Sequence, residues 1–285
     1  MMATVSSIYE EPELYQLACA YRDVPAEVTA LLTWLEKHAV PARADGAGGG
    51  AGGGAGGGAR SVLELAAGPA EHARELARRG LRSTALDFSP AMCAYAAGRA
   101  KAAGLELNVV EADMRDFRIT GPDGERTMFD LAITMLNSLC HLFTLDDLVN
   151  HLTAVSAQLA PGSLYIVELA HPADFFSPTP RTSSDWTVDV DGVHAQVRWG
   201  GRQDQIDPLT QITDEHMTIR ATAADGTIRT VSDVVPNRFW TLTEFTAALR
   251  LAGGYELAAS YGDFDDTTPL DAPTAWRMIL ILRRV

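Results

Sequence analysis

The sequence predicts an α/β protein with a mainly parallel seven-stranded sheet, an antiparallel β insert and an N-terminal helical lid. Three observations predict it. After residue 60, short apolar runs alternate with helical stretches, the pattern of βαβ units. Between Asp185 and Trp240, runs such as HAQVRW and ITDEHMTIRAT alternate apolar and polar residues, as in antiparallel strands with one buried face. Ahead of both, Val24, Val28, Leu31, Leu32 and Leu35 repeat at helical spacing.

In chain order, Glu10 to Ala20 reads as a helix, and residues 25–39 as a second with Pro25 in its first turn. Residues 46–59, ten glycines and four alanines, have little to bury and read as a flexible tether. SVLELAA, EHARELARRG, STALDF, PAMCAYAAGRAKAAG and LNVVEA then form βαβαβ. Ser89-Pro90 supplies an N-cap and first-turn pair, and Gly80 and Gly104 mark helix ends. Strands at 129–135 and 163–170 flank a helix built on LDDLVNHLTAVSAQLA, with Gly162 following it. WTVDV, HAQVRW, ITDEHMTIRAT and TIRTVSDVV make the insert, with Asp225-Gly226 as a hairpin turn. A helix at 242–252 and strands near 255–261 and 276–283 close the chain. The expected division is 1–45 lid, 46–59 tether, 60–180 with 241–285 core, and 181–240 insert.

The 285 residues are 47% hydrophobic and 21% charged, which allows a substantial core and excludes a wholly disordered chain. A net charge of −14 repels nucleic-acid phosphates and anionic membranes, so neither is expected as a partner. Cys19, Cys93 and Cys140 form no CxxC pair, which argues against a zinc site or a disulfide framework. The N-terminus has no signal-peptide pattern, and no apolar run reaches about 18 residues. A cytoplasmic protein is expected, and a homodimer is left open.

The first strand ends in Glu64-Leu65-Ala66-Ala67-Gly68-Pro69-Ala70 and runs straight into a helix. Small residues there let a ligand approach the backbone, and the helix start offers free amides. Asp87 ends the second strand, where a carboxylate can accept both hydroxyls of a ribose. Asp113 ends the third, where it could accept from an adenine amino group while Met114 packs on the ring. A dinucleotide is disfavoured, because G-x-G-x-x-G is absent and Pro69 follows Gly68.

VLELAAGPAEHARELARRG, ALDFSPAMCAYA, VVEADMRDF and FDLAITMLNSLCHLF resemble the successive motifs of class I S-adenosylmethionine-dependent methyltransferases. The resemblance implies a Rossmann-like fold with S-adenosyl-L-methionine as cofactor. It places Glu64 near the amino-acid end of that cofactor, Asp87 on its ribose and Asp113 at its adenine. Ala66, Gly68, Phe88, Met92, Met114 and Met135 complete the expected cofactor site. Ala66 and Ala70 stand where many members have glycine.

Methyl transfer from a sulfonium needs mainly alignment, exclusion of water and sometimes removal of one proton. His141, after the fourth strand, suits a base near neutral pH. Glu168 is a carboxylate at the end of an apolar strand and is the second catalytic candidate. Tyr21-Arg22-Asp23, the Ser138 to Leu142 element, Glu168 before His171-Pro172 and Tyr261-Gly262-Asp263 resemble the small-molecule branch that includes amino-sugar N-methyltransferases. That resemblance implies that Tyr15 or Tyr21, with Arg22, meets a small-molecule acceptor. The expected reaction is N-methylation in secondary metabolism, with His141 as base or positioning group. One alternative is O- or C-methylation using Glu168; another is a non-catalytic domain that binds the cofactor or a partner. No metal is expected, and Asp265-Asp266 reads as a solvated acidic loop.

Overall fold

A computed structural model describes residues 7–40, 60–176, 184–201 and 203–285. The glycine-rich tract at 46–59 lies outside the described residues.

Seven strands form one sheet in the order β10-β11-β5-β4-β1-β2-β3. Here β1 is Ser61–Leu65, β2 Arg82–Asp87, β3 Leu107–Glu111, β4 Phe129–Thr134, β5 Leu159–Ala170, β10 Tyr255–Tyr261 and β11 Arg277–Arg284. β1 to β5 pair in parallel, and β11 lies antiparallel between β5 and β10. Helices α3 (Glu71–Arg78) and α4 (Pro90–Ala102) connect the first strands, and α5 (Leu145–Gln158) joins β4 to β5. α7 (Leu242–Ala252) precedes β10. α5 and α7 begin with reciprocal caps, Thr144 with Asp147 and Thr241 with Glu244, each satisfying two otherwise orphaned amides.

Both faces of the sheet are covered, which is why β1, β4 and β5 read as continuous apolar runs. On one face Leu148, Leu152, Phe245 and Trp240 pack against Leu63, Val167 and Leu280. On the other, Val28, Leu31, Trp34 and Leu35 of α2 (Val24–His38) pack against Ile133, Ile166 and Ile279.

β5 starts at Leu159, earlier than the sequence suggested, because Gly162 lies inside the strand's entry and not at the helix end. Its φ is +82°, and a Cβ there would lie 1.8 Å from the Val40 carbonyl oxygen. Val40 in turn donates its amide to the Gly162 carbonyl at 3.0 Å. Glycine is required where the N-terminal segment joins the sheet.

The insert is a four-stranded antiparallel sheet, β6 (Asp185–Val190), β7 (Val193–Trp199), β8 (Ile212–Thr222) and β9 (Ile228–Arg238). The expected N-terminal helix is a 3₁₀ turn at Ile8–Glu10 followed by α1 (Pro12–Ala18). This segment packs on the insert through Ile8, Leu14 and Ala18, against Val197, Met217 and Ile219. A short helix, α6 (Ala173–Phe176), follows β5. Among the described residues no helix is long and apolar enough to cross a membrane.

Candidate active site

Parallel strands carry their carboxyl ends to one edge, and ligands of open α/β sheets sit in the crevice outside that edge. Here the N-terminal segment and the insert roof it. The result is a cavity of about 1280 Å³, larger than the roughly 300–1,000 Å³ of a single small-molecule pocket. It has room for two ligands.

The turn from β1 to α3 forms one wall. Ala66, Gly68 and Ala70 have φ of +48°, +51° and +54°, so the two alanines take the left-handed conformation that glycine adopts without cost. Contacts elsewhere hold the turn: the Ala67 amide donates to the Leu86 carbonyl at 3.0 Å and the Ala70 amide to the Ala67 carbonyl at 2.8 Å. This curl points the Gly68 amide at Asp87 Oδ2, 2.7 Å away, while Ser89 donates its amide to Asp87 Oδ1 at 2.8 Å. Burial raises the Asp87 pKa against these two bonds. Asp87, Phe88, Met92 and Met114 line the cavity with Ala66 and Gly68.

Asp113 also lines the cavity, but Arg115 occupies its carboxylate through its backbone amide, Nε and Nη2. These bonds hold the Asp113 pKa below the usual carboxylate range. Behind Met114 runs a polar chain that sequence reading missed. His151 Nδ1 lies 2.8 Å from the Met114 carbonyl, His151 Nε2 2.6 Å from the Tyr165 hydroxyl, and that hydroxyl 2.7 Å from Thr134 Oγ1. Burial pushes the His151 pKa down to about 4, so the ring is neutral.

Glu64 faces away from the main cavity. Its Oε2 accepts the Ala73 amide at 2.7 Å, and Oε1 lies 3.3 Å from His72 Nδ1. It borders a small adjoining recess with Tyr15, Arg22 and Met135. A buried ionic chain starts there. His72 Nε2 meets Glu27 at 2.8 Å, Arg22 Nη2 meets Glu27 and Glu168 at 2.8 Å each, and Arg277 Nε meets Glu168 at 3.0 Å. Desolvation would lower the His72 pKa, but the hydrogen bonds its ring donates to Glu27 and Glu64 lift it to about 9.

Glu168 was expected to abstract a proton or quench a cation, and its surroundings assign it a different part. It is fully buried, and the Leu136 amide adds a third donor at 2.9 Å. Burial would raise its pKa, yet Arg22 and Arg277 bring it down to about 2. A carboxylate so stabilised is a poor base. It fixes the β4 exit, where Leu136 and Asn137 have φ of +56° and +58°. Arg22 is likewise committed to two carboxylates.

The β4 exit leads to a 3₁₀ turn, Ser138–His141. His141 Nε2 lies 3.0 Å from the Tyr9 hydroxyl, ring edge to ring face. Burial takes the His141 pKa down to about 4, leaving a neutral imidazole in the cavity wall. Tyr15 lines the cavity, with burial pushing its hydroxyl pKa well up. Tyr21 is half exposed, edge-on to Trp186.

Glu215, Asn237 and Thr213 of the insert also reach the cavity, and sequence reading did not single them out. The alternation in ITDEHMTIRAT carried the signal: with Met217 and Ile219 inward, Glu215 and Thr213 share their face. Among the described residues no group of three or more metal-ligating side chains is arranged to hold an ion.

Residues 62–162 match the family model described as a methyltransferase domain. No curated protein matches the chain. Solved structures resemble it along nearly its whole length. DesVI of Streptomyces venezuelae has a TM-score of 0.73 at 19% identity, covering 96% of this chain and 98% of its own. An S-adenosylmethionine-dependent methyltransferase from Clostridium acetobutylicum gives 0.70 at 15%, covering 94% and 95%. CalS10 from Micromonospora echinaspora, an amino pentose methyltransferase of calicheamicin biosynthesis, gives 0.63 at 20%, covering 94% and 96%. At these identities the likeness is one of fold.

Proposed function

We propose that this methyltransferase domain uses S-adenosylmethionine to methylate the amino nitrogen of a small, sugar-like acceptor. The observation that carries the reading is one cavity with the Gly68–Asp87 turn at one end and the His141–Tyr9 pair at the other. When bound, the cofactor supplies an electrophilic methyl group on a sulfonium.

The chain's residues fit such a group. The left-handed turn at Ala66 to Ala70 keeps side-chain bulk low where the ligand would lie. The Asp87 carboxylate is fixed by two amides, and each oxygen keeps a lone pair for ribose hydroxyls. Met92 and Met114 supply polarizable walls. Arg115 on Asp113 makes an adenine amino group compete for that carboxylate.

At the acceptor end, neutral His141 adds no positive charge that would repel an ammonium, and it orients the amine with Tyr9. Tyr15 closes the side toward Gly68; a Cβ on Gly68 would lie 3.8 Å from its ring. The insert and N-terminal segment exclude water, which favours displacement over hydrolysis. The amino pentose methyltransferase CalS10 and the sugar N-methyltransferase KedS8 of Streptoalloteichus, both structural neighbours, support the same acceptor class.

The test incubates the full chain with methyl-labelled S-adenosylmethionine and a panel of amino sugars and their hydroxyl counterparts. Mass spectrometry of the products should locate the label on nitrogen. His141→Ala should lower turnover by about 100-fold while binding S-adenosylhomocysteine normally. Label found only on oxygen or carbon, or no binding of S-adenosylhomocysteine, overturns the reading.

A further inference from the structure

We propose that Glu215 is the acceptor-site carboxylate: it receives the acceptor's ammonium group, takes one of its protons and so selects amines over hydroxyl-bearing analogues. This rests on the N-methylation reading and adds a residue from outside the methyltransferase domain.

The inward face of β8 runs Ala221, Ile219, Met217, Glu215, Thr213. The first three bury against the N-terminal segment. The last two overhang the cavity, and Asn237 lies opposite Thr213 across the β8 to β9 ladder. The face turns from apolar to polar where it leaves protein and meets cavity. Packing gives no reason for that change, since burying a carboxylate costs several kcal/mol more than burying a methyl group.

Unlike Glu168, which two guanidinium groups neutralise, Glu215 forms no ion pair with a cation among the described residues. Its Oε2 accepts from Asn237 Nδ2, and Asn237 Oδ1 accepts from the Cys140 thiol at 3.0 Å. Glu215 is thereby tied to the turn that carries His141. Thr213 Oγ1 is buried without a hydrogen-bond partner among the described residues, and Thr213 lines the same cavity. A carboxylate lacking a cation and a hydroxyl lacking a partner together describe the complement of an amino alcohol such as an amino sugar.

Among the described residues, the groups facing Glu215 are acidic or neutral. Asp204, from the loop after β7, is held by the His216 amide at 3.0 Å and by His216 Nδ1 at 2.7 Å. Burial raises the Tyr9 and Cys140 pKa values, and Glu215's charge adds to the rise; Trp199 supplies Glu215 a side-chain hydrogen bond. Burial lifts the Glu215 pKa to about 7, partly opposed by the Asn237 bond and reinforced by Asp204. In the proposed step the acceptor's N–H bond breaks, an O–H bond forms on Glu215, and the electron pair stays on nitrogen as the nucleophile.

The test is calorimetry on the full chain saturated with S-adenosylhomocysteine. The probes are the methyl glycoside of an amino-deoxyhexose and the parent glycoside with hydroxyl at that carbon. The wild type should bind the amine about tenfold tighter, and the preference should shrink as pH falls and Glu215 protonates. Glu215→Gln should abolish the preference while S-adenosylhomocysteine affinity is kept, showing an intact fold, and Glu215→Asp should restore part of it. Thr213→Val should weaken both probes alike. A Glu215→Gln protein that keeps the wild-type preference overturns this proposal and leaves N-methylation standing. Absence of an amine preference in the wild type, including failure to bind either glycoside, defeats the N-methylation reading and this proposal with it.

Discussion

At the Asp87 end of the cavity, the ligand-facing groups come from consecutive strand-to-helix turns and are held by those turns' own amides. At the opposite end they come from segments far apart in sequence: Tyr9, His141, and Glu215 with Asn237. The first end is built once the parallel sheet forms, because Gly68, Asp87 and Ser89 are brought together by β1 pairing with β2. The second end exists only when the N-terminal segment and the insert dock. Local construction suits a ligand common to many proteins, and long-range construction suits one that differs among them.

The ionic chain from Glu64 to Arg277 ties the N-terminal segment to β1, β5 and β11, and breaking it is the strongest test of the contrast. Arg22→Ala leaves Glu168 and Glu27 each without one partner, which should cost about 3–5 kcal/mol in urea unfolding and detach the N-terminal segment first. A loss below about 1 kcal/mol would mean that the apolar docking of α2 suffices.

Linkage to pH gives the next largest effect. His72, raised to about 9 from its ordinary 6.5, contributes stability that is fully present below about pH 6.5 and fades as pH rises through 9. Glu168, lowered to about 2 from 4.5, contributes stability that is present above about pH 4.5 and fades as pH falls through 2. Unfolding free energies should therefore fall by a few kcal/mol along the alkaline limb, and His72→Gln should flatten that limb alone. An unchanged limb in the variant would remove His72 from the chain.

The smallest and most discriminating effects pair the two ends. Asp87→Asn should weaken S-adenosylhomocysteine binding by about tenfold, the loss of a charge-assisted bond or two. Tyr9→Phe should leave that affinity unchanged and lower turnover by about three- to tenfold. If both variants moved the same parameter, the two ends would not be separable.

The sheet, its helices and the order of its loops were legible in the residues, because hydrophobic period and end caps act over one or two turns of chain. The same locality made Gly68, Asp87 and Met114 readable as a set. Gly162 was misassigned because its requirement comes from the Val40 carbonyl, a partner far away in sequence. Glu168 read as reactive because a carboxylate ending an apolar strand signals burial without naming its partners, and those are Arg22 and Arg277. Glu215 was visible only through strand alternation.

From sequence alone came the α/β class, the crevice at the strand ends and the carboxylate that begins it, since each depends on neighbours within a βαβ unit. Tertiary structure alone decided which acids are neutralised and which are not. Charge compensation is a contact between distant segments: it makes Glu168 a strut and leaves Glu215 facing the cavity without a cation among the described residues.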